Sequence, residues 1–243
     1  MAVQCSIGGT YLSSYPGNNM PGTTGTVTIM GWINYNSWNT TSTASMFGAY
    51  NGTVNASTAP TTAIQIGARA TVGQLHAWTW GGTTLVNTTA GSPTLTNNNW
   101  YHVAYTCTAL SGTQVHSLYV NGVLAASATN SVQIAGTLTQ MYINGYPQAG
   151  GGTNETNGVI VDNVALYNRM LSANELQTVY TCRGLRDNIT FGLVERHSFT
   201  EALSGNVTAC IDHSNNSNEL NIGAGTALTY TTGICFNNKR SPF

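Results

Sequence analysis

Apolar and polar positions alternate with a period of two along most of the chain, the spacing of a half-buried β-strand. In "TVTIMGWINYN", Val27, Ile29, Gly31 and Ile33 fall on one face, and Met30 and Trp32 fall on the other. Comparable runs follow in "SMFGAY", "TAIQIGA", "QLHAWTW", "WYHVAYTCTA", "VHSLYV", "VLAASA", "TQMYING" and "GVIVDNVALY". Turn clusters such as "NGTVNAS", "WGGTT" and "TNNN" separate them. Asn121-Gly122 predicts a two-residue hairpin between "HSLYV" and "VLAAS", because Asn and Gly tolerate the positive φ of a type I′ turn. Short strands at this spacing predict an all-β sandwich or barrel.

One segment breaks the period. In "VDNVALYNRMLSANELQTVY" a strand pattern gives way to Ser172-Ala173-Asn174-Glu175, a capping box in which Ser172 accepts from the Glu175 amide. Leu171 and Leu176 have staple spacing, and Leu176, Val179 and Tyr180 form one helical face closed by Arg183 and Gly184. One short helix near residues 173–182 is therefore expected. Residues 1–24 are read as an N-terminal arm and 25–243 as one sandwich. Within it, 185–243 forms an extension whose runs "TFGLVERHSF" and "ALTYTTGICF" return to the same core. "GYPQAGGGTNETNG" has no phosphate-loop pattern and is read as a glycine-rich loop.

Charge changes the picture most. The chain has only 7 Lys or Arg and 8 Asp or Glu in 243 residues, with Asn, Thr, Ser and Gly in their place. Before Glu155 the one charged side chain is Arg69. No basic patch exists for nucleic acid, and no run approaches the roughly 18 apolar residues of a membrane helix, so neither partner is expected. Weak self-repulsion suits a surface that is partly covered in an assembly. "MAVQCSIGGTYLSS" lacks the pattern of a secretory signal. The five cysteines form no C-x-x-C pair and read as small buried hydrophobes, with a Cys210–Cys235 bridge as the alternative.

Three stretches carry a resemblance: "TVTIMGWI", "NNNWYHVAYTCTALSGTQVHSLYVNGVLAAS" and "GVIVDNVALYNRMLSANELQTVY". In that order they resemble the laminin-G-like jelly-roll domains of the concanavalin A-like lectin/glucanase superfamily. Trp100, His102, Val103 and Ala104 match the central strand, and Tyr119, Asn121 and Gly122 match its hairpin. Asp162, Val164, Tyr167, Asn168, Arg169, Leu171, Ser172 and Glu175 match the strand-to-helix closure. The resemblance covers about residues 25 to 182 and implies a jelly-roll β-sandwich of two antiparallel sheets. The tail, "RGLRDNITFGLVERHSFTEA" onward, is similar to the segment that usually begins such domains, so the chain looks circularly rearranged or extended. With its short basic end "NNKRSPF", that arrangement resembles structural proteins of tailed-phage particles, in particular head decoration or cement proteins.

These observations set the chemical expectations. Superfamily glucanases place closely spaced acids on one strand, whereas this chain has no such run and no carboxylate before residue 155; a glycoside hydrolase is the remotest reading. There is no G-x-S-x-G elbow for a Ser-His-Asp enzyme. Laminin-G-like domains often carry calcium, and Asp162, Asn163 and Asp212 are the candidate oxygen donors for a structural ion; no other cofactor is expected. The competing reading has Asp162 capping backbone amides at the bend and pairing with Arg169. Sugar binding needs exposed aromatic platforms, for which Trp38, Tyr50, Trp78, Trp80 and Tyr146 are the candidates, against core packing for each. His102 is read as a packed strand residue. The preferred expectation is a non-catalytic virion protein on the capsid surface, made in the host cytoplasm. It would be a homo-oligomer on the particle, bound to the major capsid protein or other virion proteins. A lectin-like module recognising surface glycans is the alternative.

Overall fold

The structure is a computed structural model. It describes residues 2–5, 12–14, 26–38, 44–50, 63–68, 73–79, 84–89, 92–110, 113–130, 138, 140–143, 145–147, 153–155, 159–182, 189–197, 209–210, 220–222 and 228–231. Along the chain these form β1 (Ala2–Cys5), β2 (Leu12–Ser14), β3 (Val27–Tyr35), β4 (Ala44–Tyr50), β5 (Ala63–Ala68) and β6 (Leu75–Trp78). Next come β7 (Thr84–Asn87), β8 (Trp100–Leu110), β9 (Thr113–Val120), β10 (Val123–Asn130), β11 (Gln140–Ile143), β12 (Gly145–Pro147) and β13 (Thr153–Glu155). β14 (Val159–Tyr167), the helix α1 (Ala173–Thr181), β15 (Leu193–His197), β16 (Ala209–Cys210), β17 (Leu220–Ile222) and β18 (Leu228–Thr231) complete the order.

The strands pair antiparallel in two eight-stranded sheets, as the jelly-roll reading requires. The first runs β10-β9-β8-β3-β14-β1-β18 with β15 also on β14, and the second runs β16-β17-β2-β11-β4-β5-β6-β7. A small β12–β13 ladder lies apart. Residues 1–24, expected as an arm, place β1 in one sheet and β2 in the other. β15 and β18 join the first sheet, and β16 and β17 join the second.

The alternation in β3 has a direct physical meaning. Val27, Ile29 and Ile33 enter the core between the sheets, together with Phe47, Ile64, Ile66, Val103, Tyr105 and Leu118. Met30, on the opposite face, packs with Ala104, Ala165, Tyr167, Leu171, Leu176 and Val179 under α1. The first sheet is thus buried on both sides along this stretch, which is why its strands are apolar at nearly every position. Tyr105 reaches a polar partner inside the core: its Oη and His116 Nδ1 lie 2.7 Å apart.

β14 organises the sheet around a bulge. Its register against β3 shifts between Asp162 and Ala165, where Asn163 adopts φ +48°. Asn is one of the few residues that tolerates that conformation. The bulge divides the other edge of β14, with β1 pairing at Ile160 and Val161 and β15 pairing from Val164 to Tyr167. The Asn121-Gly122 turn between β9 and β10 has the expected positive φ values of 53° and 77°.

The helix forms as its sequence dictates. Ser172 Oγ accepts from the Glu175 amide at 3.3 Å, while a Glu175 carboxylate oxygen accepts from the Ser172 amide at 2.8 Å. Arg183 and Gly184, expected to close its last turn, lie outside the described residues. Replacing Ser172 by alanine removes one of two reciprocal cap bonds and should cost about 1 kcal/mol. The check is chemical denaturation with unchanged far-UV dichroism; a loss of near zero would mean the Arg169–Glu175 pair alone holds the first turn.

Candidate functional site

The outer face of the second sheet carries the most unusual arrangement. Ile64, Ile66, Leu75, Ala77, Met141 and Ile143 point into the core, so their neighbours Gln65, His76, Trp78 and Tyr142 face the other way. Register places four residues in one cross-strand row: Tyr142 on β11, Gly48 on β4, Gln65 on β5 and Trp78 on β6. Gly48 is required there. A Cβ on it would lie 2.5 Å from Tyr142 Oη, so the tyrosine ring crosses the strand where no side chain stands. Tyr142 Oη then lies 2.9 Å from Ser45 Oγ and donates to the Ile64 carbonyl at 3.3 Å. Tyr50 packs against Tyr142 with ring centroids 5.8 Å apart.

Gln65 sits between these aromatics and is only 1% exposed, yet neither its Oε1 nor its Nε2 has a hydrogen-bond partner. Unpaired buried polar atoms cost about 1–3 kcal/mol each unless water or another polar group reaches them. No Asp, Glu, Lys or Arg occurs on any strand of this sheet. Among the described strand residues the polar groups of this face are amide, hydroxyl and imidazole.

The structure brings together two of the five aromatics chosen from sequence, Tyr50 and Trp78, on this face. Both correct the expectation of an open platform, since they are only 2% and 4% exposed. Trp38 is a clearer correction: it belongs to the core between the sheets, edge-on to Tyr35 at 5.4 Å. Trp80 lies outside the described residues, and Tyr146 is placed in β12 without a described side chain. Sequence reasoning missed Gln65, Tyr142 and Gly48. The signal was present only in part, because alternation in "TAIQIGA" puts Gln65 opposite the isoleucines but says nothing of its register with residues 48, 78 and 142.

A second polar row lies on the α1 side of the first sheet. Asp162 pairs in register with Trp32, and Trp32 with His102. Asp162 Oδ1 accepts from the Asn163 amide at 2.8 Å, which is the capping role expected for it, while Oδ2 has no partner. Burial pushes this carboxyl up to about 7. Burial also pushes His102 down to about 4. Trp32 meets His102 edge-on, with ring centroids 5.3 Å apart, and Tyr180 of the helix at a tilt, 5.8 Å away. The expected Asp162–Arg169 pair is not formed. Arg169 instead grips Glu175, at 2.6 and 3.1 Å. Among the described residues no three His, Cys, Asp or Glu side chains converge as an ion site. Asn163 is buried at the bulge, while Asp212 and Cys235 lie outside the described residues.

A pH prediction follows from the raised carboxyl. The folded state holds the Asp162 proton more tightly than the unfolded chain does. Its stabilising contribution is therefore complete below about pH 4 and is lost as pH rises through about 7. His102 works the other way over nearly the same range: its contribution is present above about 6.5 and is lost as pH falls through about 4. Asp162→Asn removes the first contribution only. The Tm of the variant relative to the parent should rise steadily between pH 4 and pH 8, whereas parallel Tm profiles would show that Asp162 does not titrate in this window.

A family model of the concanavalin A-like lectin/glucanases superfamily matches residues 7–177. The chain belongs to that superfamily. Among solved structures, a candidate carbohydrate binding protein from Bacteroides ovatus ATCC 8483 superposes with TM-score 0.63 at 17% identity, covering 94% of this chain and 61% of that one. This chain therefore spans less than two thirds of that relative's length. The heptameric SAP-like pentraxin from Limulus polyphemus superposes with TM-score 0.50 at 16% identity, covering 91% and 92% of the two chains. At these identities the likeness is one of fold. No curated protein matches the chain.

In this member of the superfamily, the two carboxylates with described surroundings are each committed locally. Glu175 is held down to about 2, first by the Arg169 guanidinium and then by Ser172. Asp162 caps the bulge. Neither faces the Gln65 row, which belongs to the other sheet.

Proposed function

We propose that this protein is a non-catalytic saccharide-binding module. The observation that carries the reading is membership of a lectin/glucanase superfamily over residues 7–177. The carbohydrate-binding description of the Bacteroides relative, whose fold this chain shares, agrees with it. The absence of any carboxylate from the strands of the second sheet supports binding without hydrolysis. The test is retention on immobilised polysaccharides. The purified chain should be retarded reversibly with no reducing sugar released. Free passage over every polysaccharide, or release of reducing ends, contradicts the proposal.

A second reading concerns where such a module works. The edge strand β10 begins with Val123 and Leu124, which are 64% and 53% exposed. An edge strand with no outer partner among the described residues and with exposed apolar side chains invites a neighbouring chain. It supports the role of decoration protein on a capsid surface, alone or together with sugar binding. Co-sedimentation with a capsid lattice, lost on changing both residues to lysine, is the expected result; a chain that stays in the supernatant contradicts it.

A further inference from the structure

We propose that the ring of Phe191 is the platform on which the saccharide packs, with Asn168 and Thr190 beside it as partners for the sugar hydroxyls. The proposal rests on the saccharide-binding reading above and gives it a site.

Phe191 stands in the turn that leads into β15. It is 81% exposed, more than any other large apolar side chain among the described residues. Tyr50, Trp78 and Trp38 are enclosed by the fold, whereas this ring is open to a guest. A phenyl ring left in water adds little to folding, so burial does not account for its place.

The turn that presents the ring is tied down at each residue. The Leu193 amide donates to the Thr190 carbonyl at 2.9 Å, closing a β-turn with Phe191 and Gly192 at its centre. Gly192 has φ +77°, a left-handed conformation that favours glycine. The end of β14 holds the turn from outside. The Asn168 amide donates to the Gly192 carbonyl at 2.9 Å, and Arg169 Nε donates to the Phe191 carbonyl at 2.6 Å. The Arg169 guanidinium is itself fixed by Glu175, and its carbon lies 5.6 Å from the centre of the Phe191 ring. A cation at that distance is attracted to the ring and backs it. A ring already in place loses little freedom when a ligand arrives, which favours binding.

The neighbours of the ring have the chemistry of a sugar's partners. A pyranose packs its C–H face on an aromatic ring and directs its hydroxyls outward to polar groups. Asn168 is exposed, and its side chain lies against the turn: a Cβ on Gly192 would come within 2.7 Å of Asn168 Oδ1. Its amide offers two N–H donors and a carbonyl acceptor, and the exposed Thr190 hydroxyl donates and accepts. Met170 is the other exposed apolar residue in this stretch. The polar Asn168, Thr190 and paired Arg169 around the ring suit a hydroxylated guest better than an apolar protein segment.

The experiment compares the full chain with Phe191→Ala and Phe191→Tyr, by affinity electrophoresis in a polysaccharide that retains the parent and by thermal unfolding. Phe191→Ala is expected to weaken retention at least tenfold with Tm unchanged, and Phe191→Tyr to retain as the parent does. Equal retention of Phe191→Ala and the parent overturns this proposal and leaves the saccharide-binding reading standing. A large fall in the Tm of Phe191→Ala would show a ring that packs into the fold, and it overturns the platform as well. If no polysaccharide retains the parent, both readings fail.

Discussion

Replacing Gly48 by valine should destabilise the protein by about 3 kcal/mol, the upper end of what overpacking usually costs. The reason is the kind of atom that the new side chain meets. A Cβ at this position would collide with the main-chain carbonyl oxygen of Ile64 on the paired strand, which cannot rotate aside. It would also reach Tyr142, whose hydroxyl is fixed by Ser45 and Ile64. Relief therefore requires β4 and β5 to part or Tyr142 to leave its place. Either change opens the row that contains Gln65. Urea denaturation checks the first part, and a loss below about 0.5 kcal/mol would show that the strands yield more easily than the packing implies.

Trp38→Ala should be costlier still, at about 3–5 kcal/mol, the range for deleting a large buried aromatic. Trp38 is among the largest fully buried side chains and meets Tyr35 edge-on. The magnitude separates two roles. A tryptophan serving as an exposed sugar platform can be removed for roughly 0.5 kcal/mol or less, and binding alone suffers. The core position predicts the reverse, a large loss of stability with no change in the sugar contacts of the remaining folded protein. A midpoint shift measured at unchanged denaturant slope decides the matter, and a negligible shift would return Trp38 to the surface.

The contrast between these residues shows what the sequence made legible. Features fixed by a few neighbouring residues could be read directly. Alternation in "TVTIMGWINYN" separates the two faces of β3, Asn121-Gly122 makes its hairpin, and Ser172 with Glu175 starts the helix. Asp162 was legible in the same way, because its main bond is to the next residue along the chain. Features fixed by distant pairing were not. Trp38 stands among polar residues in "NYNSWNTT" and reads like a loop tip, yet its ring returns to the core beside Tyr35. Tyr50 and Trp78 read as platforms beside polar loops, and nothing local in the sequence shows that they share a face or that the face is closed. Arg169 could have reached toward Asp162 or toward Glu175, and only the fold shows that it takes the helix residue. Gln65 is the extreme case, because its row with residues 48, 78 and 142 comes from strand pairing that no local pattern encodes.

The most direct measurement is calorimetric titration of the full chain with oligosaccharides cut from a polysaccharide that retains it. The account predicts saturable binding at one midpoint with no reducing ends released. No heat of binding with any of them, or release of reducing ends, would contradict it.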